Sequence, residues 1–343
     1  MAIVDILAIQ PQVISRDLRS KYLLLAGAPK IGKTEFCTMA PDALVLAFEI
    51  GTNARPGAMI QKIDTWSTFK LVLRQLEKPE AKEKFATVCI DTVAIAYDLC
   101  EQFICAQNGV QKIGDIPYGG GYSALSKEFD SALRKITMMG YGLIMTCHLK
   151  ENTDDDGKVI GYKPDLNNRC LKIVNGLVDI IGVITQSWTE SGESQRWIQT
   201  RSTPTIVAGS RYKYLAPRSP FGYHEFLEAL GQAIDKEQEL GATVVDTAPV
   251  QFEEALDYKA IRAEASELWQ VLVEKDPDNA TVILKKVEMF FGRSMKLSEI
   301  TEDQVDLFNL VLYFKNFFHF HGHFSFPILH PSFSIVSIAS FST

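Results

Sequence analysis

Five apolar runs punctuate the first 184 residues: Tyr22–Ala26, 43–48, 86–90, Gly142–Cys147 and 179–184. Between them the apolar positions change to helical spacing. Runs of this length and composition form strands buried on both faces. Their alternation with helical stretches predicts a parallel sheet with crossover helices. The helix ahead of the fourth run, over residues 123–139, carries Leu125, Phe129, Leu133 and Ile136 on one face and stops at Gly140. Residues 185–200, interrupted by Glu190-Ser191-Gly192-Glu193, read as a hairpin that closes the sheet. The predicted fold class is α/β with a mostly parallel central sheet.

After residue 239 the pattern changes, so residues 1–239 are expected to form the first domain. Residues 240–251 are small, polar and proline-bearing, the composition of a linker. Residues 252–315 are helical in period and form a small C-terminal module. There Asp276-Pro277 reads as an N-cap with proline at the first helical position, and Gly292 falls just past the helix end. Thr301-Glu302-Asp303-Gln304 has the form of a capping box, with Ile300 and Val305 as its hydrophobic staple. Residues 316–343 are Phe-, His- and Ser-rich, with no charged side chain after Phe317. The tail holds His319, His321, His323 and His330, and histidines at alternate positions would share a strand face and could ligate a metal. The alternative is a disordered, read-through or non-native tail.

Composition narrows the classes. With 343 residues, 46% of them hydrophobic, the chain has ample material for a core. A net charge of −7 argues against a protein that coats nucleic acid non-specifically, while leaving room for a local basic surface. No run reaches membrane length and the first residues lack the basic start of a signal peptide, so no membrane partner is expected. The six cysteines show no CxxC pair or zinc spacing and read as small hydrophobes in a reducing cytoplasm.

The strongest chemical signal is Gly27-Ala28-Pro29-Lys30-Ile31-Gly32-Lys33-Thr34, which fits G-x-x-x-x-G-K-[ST] and follows the first apolar run. Glycines let the backbone curl so that successive N–H groups face phosphate oxygens, and a helix after the loop adds its positive end. Lys33 would reach the β- and γ-phosphates of ATP, and Thr34 would give a hydroxyl ligand to Mg²⁺. Asp91 ends the third run, the place where a phosphate-loop protein holds the same Mg²⁺. The next residue is Thr92, where many ring ATPases carry a catalytic glutamate. Glu49, just past the second run, is the candidate base; its alternative is a solvated loop carboxylate. His148, after the fourth run, is either a γ-phosphate sensor or a simple strand-terminal histidine.

In the order of these parts the chain resembles the RecA-like ATPases, specifically the phage-encoded nucleotide-binding proteins linked to single-strand annealing and recombination. The matching residues are the loop 27–34 with its Pro29-Lys30, Glu49, Asp91, and His148 at the family's polar sensor position. The loop Asp115-Ile116-Pro117-Tyr118-Gly119-Gly120-Gly121-Tyr122, opening the following helix, is the more family-like mark. The resemblance spans residues 21–230, and Lys296–Thr301 resembles helical pieces attached to phage recombination proteins.

That resemblance implies a RecA-like core that assembles as a ring or filament of identical subunits. It implies that a basic pair reaches the neighbour's γ-phosphate. Arg211-Tyr212-Lys213, after an apolar stretch 205–208 read as a strand, has that spacing; the alternative is a surface cluster with Arg218. Two loops, 111–122 and 151–168, would face single-stranded DNA. Lys112, Tyr118 and Tyr122 in the first suit stacking and backbone contact. Around the second stand Lys150, Lys158, Lys163 and Arg169, although Asp154-Asp155-Asp156 repels phosphate. The expected function is ATP hydrolysis coupled to single-stranded DNA in phage recombination or replication, in the host cytoplasm, with a single-strand-binding or annealing protein as a further partner. A small-molecule or nucleoside kinase and a nucleotide-gated interaction protein are the alternatives. No guanine-reading N/T-K-x-D segment appears.

Overall fold

The computed structural model describes residues 11–49, 56–247, 258–301, 304, 305, 307 and 308. The histidines of the tail and the last residues of the expected linker lie outside them. The chain divides into two compact units, Met1–Glu253 and Glu254–Thr343.

The first unit begins with β1 (Ile14–Ser15) and β2 (Tyr22–Ala26), then α1 (Lys33–Thr38), β3 (Ala43–Ala47) and β4 (Met59–Lys62). Next come α2 (Trp66–Leu76), α3 (Pro79–Lys84), β5 (Thr87–Asp91), α4 (Val93–Gln107), α5 (Gly120–Met138) and β6 (Gly142–Cys147). A hairpin of β7 (Leu149–Thr153) and β8 (Val159–Pro164) leads to α6 (Asn168–Leu177) and β9 (Ile180–Trp188). β10 (Ser194–Gln199), β11 (Gly209–Ser210), β12 (Arg218–Pro220), α7 (Tyr223–Glu239) and β13 (Val244–Val245) complete it.

The main sheet has the order β12-β10-β9-β2-β6-β5-β3-β4, with β11 also on β9. Pairings from β9 to β4 are parallel, and β10, β11 and β12 join antiparallel. This is the mostly parallel α/β core that the apolar runs predict. Two hydrophobic layers explain why those runs hardly alternate. Leu24, Leu46, Ile90 and Met145 face α2, α4, α5 and α6 through Trp66, Tyr97, Phe129 and Val174. Leu23, Leu25, Val45 and Ile144 face α1 and α7 through Phe36, Phe226 and Leu230. Each strand therefore buries both faces. Local chemistry sets the helix ends: the Thr65 hydroxyl caps α2 by accepting from the Thr68 N–H at 3.1 Å.

Phe129 is fully buried, with ring centroids 5.8 Å from Trp66 and 5.0 Å from Tyr97. Phe129→Ala is expected to destabilise the first unit by about 3–5 kcal/mol, because transfer and cavity costs add. A urea unfolding series reads this directly, and a loss below about 1 kcal/mol would contradict the packing described.

Several elements differ from expectation. Residues 151–168 are largely the β7–β8 hairpin rather than a loop; β7 is mostly polar, and the short apolar stretch Val159-Ile160 of β8 is exposed. Asp154-Asp155-Asp156 forms its tip, where Asp154 Oδ1 accepts from the Lys158 N–H at 2.8 Å. Residues 205–208 are not a strand. Thr203 and Ile206 bridge each other across Pro204, and the strand here is β11. Within the expected linker, β13 pairs in parallel with β1, Val244 beside Ile14, so the first unit extends past residue 239.

In the second unit α8 (Tyr258–Lys275) and α9 (Asn279–Phe291) bury Ile261, Ala265 and Val287 with Met295, Ile300 and Phe308. α9 begins two residues later than the Asp276-Pro277 pattern implies. A turn holds Asp276 to Asn279 first, with the Asn279 N–H on the Asp276 carbonyl at 3.1 Å. Gly292 closes the helix in the left-handed region, φ +67°. Gln304 Oε1 accepts from the Thr301 N–H at 3.1 Å, one half of the capping box.

Candidate nucleotide site

β2 ends in the middle of the sheet, and residues 27–32 curl over its end before α1 starts at Lys33. Ala28, Pro29 and Lys30 are exposed, whereas Gly27, Ile31 and Lys33 are buried. Two positions require glycine. A Cβ on Gly27 would lie 2.9 Å from Ile31 Cγ2, and Gly32 has φ +114° with space for a Cβ closed 2.7 Å away by Arg196 Nη1. α1 has 6 residues, Lys33–Thr38, and its first turn together with the loop's N–H groups faces the phosphate position.

Lys33 is 6% exposed. Its Nζ donates to the Gly27 carbonyl at 2.8 Å and to the Ala28 carbonyl at 2.9 Å, and stands 3.5 Å from His148 Nδ1. Burial pushes the Lys33 ammonium below the usual lysine range, while Asp91 and Glu49 pull against it.

Thr34 Oγ1 donates to Asp91 Oδ2 at 2.6 Å. The other carboxylate oxygen accepts from Thr146 Oγ1. Strand order explains this: β6 lies between β2 and β5, and Thr146 is level with Leu25 on one side and Asp91 on the other. The Asp91–Thr92 peptide bond is cis, and Thr92 Oγ1 is buried with no partner among the described residues. A hydroxyl and a carboxylate at one point are hard oxygen donors of the kind Mg²⁺ takes when it keeps waters and shares phosphate oxygens. Thr34 and Asp91 therefore fit the cation. Among the described residues no three His, Cys, Asp or Glu gather to cage a metal.

Glu49 follows β3, its N–H 3.2 Å from the Asp91 carbonyl oxygen. Its Oε1 stands 3.5 Å from His148 Nε2. Lys33 Nζ and Glu49 Oε1 approach the two ring nitrogens of His148, each at 3.5 Å. Loop lysine, histidine and carboxylate thus form one chain across the ends of β2, β6 and β3.

The structure brings the loop, Asp91, Glu49 and His148 together but places Arg211 and Lys213 elsewhere. The Arg211 N–H donates to the Asp179 carbonyl at 2.8 Å and its Nη1 pairs with Asp179 Oδ1 at 3.1 Å, where β9 begins. The phosphate loop stands at the other end of the parallel strands. Arg211 lines a recess of ≈ 640 Å³ there with Lys21 and Tyr212, and Lys213 Nζ lies 5.1 Å over the Tyr214 ring. Lys112, Tyr118, Tyr122 and Lys150 are exposed. Tyr118 is fully open at φ +57°, while Arg169, at the start of α6, covers the Tyr122 ring at 4.4 Å. Sequence reasoning missed Thr146, whose signal was a lone hydroxyl in an apolar central strand, and Arg196, whose position depends on strand order.

Residues 19–212 match the sequence profile of a family described as AAA domain, more than half of the chain. The chain belongs to the AAA-domain family. The matched span of this AAA domain includes the loop, Glu49, Asp91, His148, Arg196 and Arg211, and ends before Lys213. The chain thus carries an AAA-type phosphate-loop ATPase domain. The SPbeta prophage-derived uncharacterized protein YorG of Bacillus subtilis (strain 168) is 27% identical over 324 residues, covering 90% of this chain and 97% of that protein. The crystal structure of the flagellar accessory protein FlaH from Methanocaldococcus jannaschii is similar with a TM-score of 0.32 and 9% identity, over 59% of this chain and 84% of that one.

All six cysteines of this AAA domain protein are buried and free, and burial pushes the Cys147 thiol up to about 12. They pack as hydrophobes. Among the described residues no helix is long and apolar enough to cross a membrane.

Proposed function

We propose that this AAA domain hydrolyses ATP with Mg²⁺ and acts as a homo-oligomer on single-stranded DNA in phage recombination or replication, in the host cytoplasm. The catalytic half rests on one observation: Lys33, His148 and Glu49 form a continuous chain beside the Thr34–Asp91 pair. Loop N–H groups and Lys33 bind the phosphates. Thr34 and Asp91 hold Mg²⁺, which supplies charge neutralisation on the phosphate oxygens. Glu49, its side chain 41% exposed, is open to water and orients and deprotonates the attacking molecule. When Lys33 turns from the loop carbonyls toward a phosphate, His148 loses its neighbour at Nδ1. This carries the nucleotide state toward the β7–β8 hairpin, which follows directly.

The nucleic-acid half is supported by Tyr118, Lys112 and Lys150, exposed cation and aromatic groups suited to a single strand. The meeting of Tyr122 and Arg169 supports both expected loops lying at the loop end of the sheet. Phage context is supported by the prophage-derived relative. Arg211 and Lys213 complete a site only if a second copy brings its phosphate loop to them, which is the reason for the oligomer. The test is the steady-state ATPase rate with and without single-stranded DNA, at low and moderate salt. Several-fold stimulation by single strands and not by duplex is expected. Turnover indifferent to DNA would overturn the nucleic-acid half, and absence of turnover the catalytic half.

A further inference from the structure

Arg196 projects from β10 onto the phosphate loop. Ile198, two residues along and so on the same face, is buried in the layer beneath α1 and α7. Arg196 Nη1 donates to the Ile31 carbonyl at 2.8 Å, and its guanidinium lies 5.5 Å over the Phe221 ring. Phe221 stacks on Phe36 of α1 at 5.7 Å, and its N–H donates to the Arg196 carbonyl at 2.9 Å. Ring and backbone together hold the arm in place.

Glu35 of α1 lies on the same side of Gly32, its Oε2 3.6 Å from where a Cβ there would sit, but among the described residues no ion pair joins it to Arg196. Arg16, Arg19, Arg134 and Arg211 pair with Asp235, Asp17, Asp130 and Asp179. Among the described residues no carboxylate forms an ion pair with Arg196, whose side-chain bond is to a neutral carbonyl. A guanidinium has five N–H donors, so four are left beside a loop built for anions. Gly32 matters here too, since a Cβ there would lie 2.7 Å from Nη1 and close the approach.

We propose that Arg196 is a phosphate ligand supplied by the same chain, taking oxygens of a bound nucleoside di- or triphosphate from the rim of the loop. The inference rests on the nucleotide-site reading above and adds a cation from outside the loop motif, separate from Arg211 and Lys213. The bidentate fork of arginine suits phosphate, whereas bracing the Ile31 carbonyl needs one neutral donor.

The test is equilibrium binding of ADP and a non-hydrolysable ATP analogue to the full chain and to R196Q, R196K and K33A. R196Q removes the charge and, its amide being two bonds shorter than Nη1, gives up the Ile31 contact as well. It is expected to bind about tenfold more weakly or worse, since a charge-assisted bond contributes more than one decade. R196K should recover part of the loss by restoring the charge, whereas melting without nucleotide should fall alike in R196Q and R196K, since both shorten the arm. Wild-type affinity in R196Q would mean that Arg196 only braces the loop and would overturn the proposal. If K33A loses binding while R196Q does not, this inference fails alone; if the wild-type chain binds no nucleotide, both readings fail. In mixtures of R196Q with wild type, binding should fall in proportion to the variant. A disproportionate fall would assign the cation to a neighbour's site and overturn the same-chain role.

Discussion

Lys33→Ala is expected to weaken ATP binding about 10²–10⁴-fold while leaving the fold intact. In the structure the ammonium is buried and satisfied by two backbone carbonyls, Gly27 and Ala28. Nucleotide binding exchanges those neutral partners for anionic oxygens. Each charge-assisted hydrogen bond is worth about 1.5–3 kcal/mol, so two give roughly 3–6 kcal/mol, and each 1.4 kcal/mol is tenfold. Stability should change by no more than about 1–3 kcal/mol, the cost of leaving the buried Gly27 carbonyl without its donor, because Ala28 is exposed and water can serve its carbonyl. Titration with a fluorescent ATP analogue checks this, together with a melting curve. An affinity within threefold of wild type would remove Lys33 from the site and with it the phosphate-loop reading.

Glu49→Gln should separate binding from chemistry. Glutamine keeps the shape of the side chain and can still accept from His148 Nε2, 3.5 Å away in the native chain. Nothing about the loop, Thr34 or Asp91 is disturbed, so ATP affinity should stay within about threefold. What is lost is a proton acceptor, and a positioned general base contributes about 10²–10⁴-fold. Phosphate release should fall by that factor. If turnover persists, the base is another group and the Lys33–His148–Glu49 chain is only structural.

The sequence was most legible where one run of residues contains the whole physical reason. The loop 27–34 follows an apolar strand, and both its glycines prove to be steric requirements. The parallel strands announced themselves because burial on two faces removes alternation. β7 and β8 stayed hidden because they are an exposed two-stranded ribbon, in which β7 is polar and the apolar stretch Val159-Ile160 of β8 is too short to stand out. Contacts across the sheet were hidden for another reason. Glu49 and His148 leave β3 and β6, which both flank β5, and Thr146 meets Asp91 because β6 is interposed. Period and composition state that a strand exists, not which strand lies beside it. Arg196 is the same case, since β10 reaches the loop only once β9 has taken its place next to β2. Arg211 and Lys213 carry the spacing of a phosphate-contacting pair, yet within one chain they stand at the opposite end of the strands.

The position of β2 also bears on how the protein is made. Both of its neighbours come late: Cys147 of β6 pairs with Ala26, and so, from the other side, does Val183 of β9. About 120 to 160 further residues must leave the ribosome before the strand beneath the phosphate loop is flanked. At synthesis rates of about 5–20 residues per second, that is roughly 6 to 30 s. For that interval Tyr22–Ala26 is an apolar segment with two bare edges on a nascent chain, the kind of surface that chaperones capture.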